Sequence, residues 1–151
     1  DSLIKKMRNA KNFQAGLQLL RQLELSLFDF RLHLEFDPKK DYTQIQALLD
    51  KIRKRINIIP VSPFNRFQHG FSHIFAGGYA AGYYSYLWAE VLSCDAFTKF
   101  LEDGIFNQET GQAFLQSILE QGGAIDAMEL FKKFRGREPK IQAFLKSLDI
   151  E

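Results

Sequence analysis

Residues 11–36 read KNFQAGLQLLRQLELSLFDFRLHLEF, and this stretch sets the architecture. Phe13, Leu17, Leu20, Leu27 and Phe30 recur at spacings of three, four or seven, the pattern of one face of an α-helix. Leu23, Leu25, Phe28 and Leu32 widen the stripe, so the segment predicts a long helix covered on much of its circumference. Pro38, in DPKKD, closes it, because proline disfavours helical geometry at Asp37 and supplies no backbone donor.

Downstream, Asp41 reads as an N-cap with Gln44 three residues on, a variant of the capping box. The helix it opens, YTQIQALLDKIRKRI, places Ile45, Leu48, Leu49, Ile52 and Ile56 on one face, and its KIRKR cluster reads as a solvated face. NIIPVSPFNRFQHGFSHIFAGG (57–78) has no period. Two prolines, Asn65 and three glycines break it into an ordered loop too apolar for a linker, and long loops of this kind in compact domains are often functional. Helix resumes near Ala80 and runs to about Leu101, with Gly104 as a left-handed cap. Asn107 caps QETGQAFLQSILEQ, which ends at Gly122-Gly123. AIDAMELFKKF follows, stopped by Gly136, and a last short helix starts around Pro139. No strand alternation or internal repeat is present. The expected fold is all-α: a bundle of about six or seven helices with one ordered Gly/Pro-containing loop.

Composition narrows the class. With 151 residues, 46% of them hydrophobic and 25% charged, the chain is globular, and a net charge of +2 argues against nucleic acid as its partner. One cysteine, Cys94, leaves no internal disulfide and fits a reducing compartment. No apolar run reaches a membrane span and no signal-peptide pattern opens the chain. It starts without Met, inside an amphipathic helix, which reads as a piece of a longer polypeptide.

Chemistry is sparse. His69 and His73 are four apart, but HGFSH lacks the glutamate that makes HExxH a hydrolytic metal motif. Cys94 on an apolar helix reads as a small packing residue, no serine sits in a Gly-x-Ser-x-Gly elbow, and Gly77-Gly78 lack the lysine of a phosphate loop. What remains is the tyrosine-rich segment after the glycines. Tyr79, Tyr83 and Tyr86 stand at i, i+4 and i+7 and share a face if the helix extends back to Tyr79. Such a row offers donors for a carbonyl or oxyanion and a grip on a peptide main chain. An aromatic core stripe with hydroxyls at the surface satisfies the same pattern, and periodicity alone favours that reading.

The block HIFAGGYAAGYYSYLWAEVLSCDAF closely resembles the C-terminal part of the thimet-oligopeptidase/neurolysin family of zinc peptidases, in particular its bacterial oligopeptidase A branch. The similarity continues through AKNFQAGLQLLRQLELSLFDFRLH, FNRFQHGFSHIFAGGY and ILEQGGAIDAMELFKKFRGREP, nearly the whole chain in order. The resemblance implies a larger helical peptidase fold around a deep channel, with short unstructured peptides as substrates and one zinc held by an HExxH helix and a downstream glutamate. It further implies that Tyr86 and His73 act as catalytic donors and that Tyr79, Tyr83, Gly77 and Gly78 bind substrate, the glycines letting the loop adjust around it. HExxH is absent, so 1–151 reads as a single all-helical segment from the C-terminal part of the catalytic domain. No residue of this chain is then a metal ligand, the missing N-terminal part is its partner, and the fragment alone is inactive. The alternative is a non-catalytic helical module that binds peptides or a protein.

Overall fold

The structure, a computed structural model, describes residues 2–150. Among these residues the regular elements are all helical, and seven helices have six residues or more. They are α1 (Ser2–Lys11), α2 (Ala15–Glu35), α3 (Thr43–Ile56), the single turn α4 (Ser72–Phe75), α5 (Ser85–Asp103), α6 (Gln108–Phe114), α7 (Ala127–Arg135) and α8 (Gln142–Ser147). A 3-10 turn covers Phe67–Gly70, and π geometry covers Leu115–Leu119. The all-α expectation holds. Backbone packing divides the chain into two compact units, residues 1–87 and 88–151. No helix among the described residues is long and apolar enough to cross a membrane.

In the first unit, α2 starts later than its sequence pattern implies, because Gln14 adopts a left-handed φ of 56° and separates it from α1. Its buried face also differs from the one that the spacing picks out. Phe13, Leu27 and Phe30 are 69%, 39% and 48% exposed, whereas Glu24, Leu25, Phe28, Asp29 and Leu32 are buried. Leucine and phenylalanine occur all round this helix, so periodicity could not rank its faces. The two carboxylates mark the inner one.

α3 follows the reading more closely. Leu49 and Ile52 are buried, and Ile45, Leu48 and Ile56 pack against the same core. Asp41 accepts the Thr43 N–H at 2.7 Å, as a cap should. Gln44 instead reaches back to Asp37, accepting its N–H and donating to its carbonyl. Arg53 departs from the solvated KIRKR face. It is buried, donates to Glu24 at 2.9 Å and to Asn65 at 2.9 Å, and lies over the Phe67 ring. This ties α2, α3 and the loop together, and burial of Phe71 and Ile74 holds that loop on the core. Each such side chain contributes about 1.5–3 kcal/mol when fully buried.

In the second unit, Phe100, Phe114 and Phe134 form an edge-on aromatic cluster beside Ala96 and Phe131. Asn107 and Asp126 cap α6 and α7 by accepting the N–H groups of Thr110 and Met128. Gly136 ends α7 in a left-handed conformation, as expected from sequence. α8 starts at Gln142, three residues beyond Pro139. Cys94 is half-buried, with its Sγ 3.7 Å from Ser147 Oγ.

Candidate functional site: a tyrosine face behind a glycine stop

His73 is the second residue of the one-turn helix α4. That turn stops because the Ala76 and Gly77 N–H groups both donate to the Ser72 carbonyl, and the Tyr79 N–H folds back onto the His73 carbonyl at 3.0 Å. A Cβ at Gly77 would stand 3.0 Å from both Cα and O of His73, so any side chain there would force the backbone to shift. Gly78 follows with φ +78°, a conformation open to glycine at no steric cost.

Helix α5 does not extend back to Tyr79; it begins at Ser85. Consecutive reverse turns cover the gap, with Gly82 N–H donating to the Tyr79 carbonyl at 2.8 Å and Ser85 N–H to the Gly82 carbonyl at 3.0 Å. The rings nevertheless meet. Tyr79 and Tyr86 stack with centroids 5.1 Å apart and planes at 27°. Tyr83 packs against Tyr86 at 5.1 Å and, edge-on, against His73 at 5.7 Å and Phe71 at 5.1 Å. The ring of His73 lies 6.1 Å from that of Tyr79. Tyr84 turns away, to Phe30. The structure therefore gathers His73, Tyr79, Tyr83 and Tyr86 into one cluster, by turns where the spacing suggested a helix.

The members differ in exposure. Tyr83 is buried and donates its hydroxyl to Gln22 Oε1 at 3.2 Å, so it forms the floor. Tyr79 and Tyr86 are 37% and 42% exposed, and His73 is exposed beside them. The hydrogen bond that the Tyr86 hydroxyl donates to the Tyr79 oxygen, with a smaller effect of burial, holds the Tyr86 phenol above its ordinary value. At neutral pH it is a protonated donor, the state needed to meet developing negative charge on an oxygen.

One supporting residue escaped the sequence reading. Asp29, buried in α2, accepts the Ala81 and Tyr83 N–H groups, each at 2.9 Å. Ala81 has φ 55°, left-handed for a residue with a Cβ and costing about 1–2 kcal/mol. The available signal was a carboxylate between Phe28 and Phe30, since a buried polar residue is the informative exception in an apolar run.

Among the described residues, no group of three or more His, Cys, Asp or Glu is placed to hold a metal ion. The donors at the tyrosine face are one imidazole and phenols, a set that does not fit zinc.

Comparison with known proteins gives this site its family. The profile of peptidase family M3 matches residues 1–150, and the chain belongs to that family. It is 57% identical over 149 residues to oligopeptidase A of Escherichia coli K12, covering 99% of this chain and 22% of the relative. Oligopeptidase A of Salmonella typhimurium LT2 is 56% identical over 149 residues, again 99% of this chain and 22% of the relative. The dipeptidyl carboxypeptidase of E. coli K12 is 36% identical, over 96% of this chain and 21% of that protein. The chain thus spans about a fifth of the length of these relatives.

Proposed function

We propose that this chain is the substrate-gripping C-terminal portion of a zinc-dependent oligopeptidase of the cytoplasm that hydrolyses short unstructured peptides. The observation that carries the reading is the stacked Tyr79–Tyr86 pair, half-exposed, with the Tyr86 phenol held above its ordinary value, in a member of peptidase family M3. In this reading Tyr86 donates to the scissile carbonyl oxygen as it becomes an oxyanion, and Tyr79 and His73 donate to the substrate. Tyr83, its own hydroxyl given to Gln22, acts through its ring as the floor on which the pair stands. Gly77 and Gly78 set the approach of the loop to the peptide. The zinc, and whatever activates the attacking water, are held by the N-terminal part of the same polypeptide, and residues 1–151 alone do not cleave peptides.

The test is Tyr86→Phe in the complete polypeptide, assayed on a short peptide with metal content measured in parallel. Loss of one oxyanion donor costs about 2.7–4 kcal/mol, so kcat falls roughly 100- to 1000-fold. Metal content stays normal, and the isolated chain, run as a control, shows no turnover. Near-wild-type kcat in the mutant, or chelator-sensitive cleavage by the isolated chain, sinks the reading.

A further inference from the structure

We propose that Asp29 is a positioning residue for the tyrosine face: its buried carboxylate fixes the Ala81–Tyr83 backbone and so sets where the Tyr79, Tyr83 and Tyr86 rings stand. The proposal rests on the reading of that face as the peptide grip. Asp29 is 0% exposed, and the segment it holds is 52 and 54 residues away in sequence. Oδ1 takes the Ala81 N–H and Oδ2 the Tyr83 N–H, so one carboxylate spans both arms of the turn that carries Tyr83 into α5. A third donor is His33, whose Nδ1 lies 3.0 Å from Oδ1 and 2.9 Å from the Asp29 carbonyl. Both are acceptors, so Nδ1 carries the proton.

A buried carboxylate is a poor means of stabilising a fold, because desolvation opposes it and an apolar residue of similar size packs as well or better. Among the described residues no Lys or Arg nitrogen lies within 4.0 Å to offset the charge. What Asp29 does achieve is geometric. It holds Ala81 in a left-handed conformation that the chain would otherwise leave, next to a site, where such strain is commonly found. If the turn relaxes, the Tyr79 carbonyl loses the Gly82 N–H and the Tyr79–Tyr86 stack opens. A displacement of about 1 Å at such a distance from the chemistry lowers turnover by up to about 100-fold.

The test is a double-mutant cycle in the complete polypeptide, with an optical readout beside it. Asp29→Asn keeps size but turns an amide N–H toward a backbone N–H. We expect kcat to fall about 10- to 100-fold in the parent background and less than about 3-fold in a Tyr86→Phe background, because one effect acts through the other. The optical readout is phenolate absorbance against pH in the complete polypeptide, taken as the difference between forms with and without Tyr86→Phe, which isolates the Tyr86 phenol. The Tyr86 phenol, held up by its hydrogen bond to Tyr79, should move down toward the ordinary range in Asp29→Asn as that pair opens. Equal losses of kcat in both backgrounds, or an unmoved phenol, overturn the proposal. Should Asp29→Asn not fold, Asp29→Glu keeps the charge but displaces the oxygens, and an unmoved phenol in that variant overturns it equally. The parent reading fails separately, if Tyr86→Phe alone is harmless.

Discussion

Asp29 in α2 and Asp95 in α5 are both buried, and each captures a backbone N–H of a segment far along the chain. Their surroundings then diverge. Asp95 faces the Arg137 guanidinium through two hydrogen bonds, with the Lys140 N–H at 2.6 Å and Arg135 Nε at 3.8 Å. Burial pushes the Asp95 carboxyl up, but Arg137 and the Lys140 N–H outweigh it and hold the group below the usual carboxylate range. Asp29 meets only peptide N–H groups and an imidazole. The ion pair at Asp95 closes the turn after α7, where no tyrosine stands. The donors at Asp29, two of them backbone N–H groups, aim a turn that carries the proposed site. Guanidinium pairing marks the clamp that serves the fold, and capture of backbone N–H groups without a guanidinium marks the one proposed to serve geometry.

The comparison breaks most directly at Arg137. Arg137→Ala leaves Asp95 buried without its main counter-charge, a loss of about 3 kcal/mol in unfolding free energy by urea titration. A drop of less than about 1 kcal/mol would mean that Arg135 and the Lys140 N–H suffice, and the two aspartates would then be alike.

What the sequence revealed divides along the same line. Caps and stops were legible because they are local: Asp41, Asn107 and Gly136 act within a few residues of themselves. The membership of the tyrosine face was also legible, although its mechanism was not. Tyr79, Tyr83 and Tyr86 meet through reverse turns, which no 3.6-residue period describes. Asp29, Glu24 and Arg53 were missed because their partners lie 29 to 54 residues away. For the same reason the inner face of α2 could not be chosen. Leucines surround the helix, and only the tertiary partners of two carboxylates distinguish one side.

Gly77 sharpens the comparison at intermediate size. In Gly77→Ala the new Cβ meets His73 backbone atoms at 3.0 Å, so backbone, rather than a flexible side-chain end, must give way. We expect kcat/KM in the complete polypeptide to fall about 10-fold, with a stability loss of about 1 kcal/mol. The control belongs to the other unit. Gly111 in α6 has open space around it, and Gly111→Ala should gain about 0.5–1 kcal/mol by helix propensity while leaving turnover unchanged. Equal kinetics in the two variants would remove Gly77 from the positioning of His73.

The smallest effect is on stability in acid, where the shares of the two units have the same sign and can be told apart by mutation. Burial pushes the Glu24 carboxyl up, but the Arg53 and Arg21 guanidiniums outweigh it and hold it low, as Arg137 does for Asp95. A carboxyl depressed in the folded state contributes its full stability above the unfolded value, about 4.3 for Glu and about 3.9 for Asp. That contribution is lost as pH falls through the folded value, because the unfolded chain then binds more protons. Unfolding free energy should therefore hold steady near neutrality and decline below about pH 4–5. Glu24→Gln removes the share of the first unit and should leave a shallower decline that belongs to Asp95, together with exposed pairs that salt screens. Asp95→Asn in that background should flatten most of what remains. If the decline persists undiminished in the double variant, the acid sensitivity lies with other groups. The ionic character that separates Asp95 from Asp29 would then have no consequence for stability.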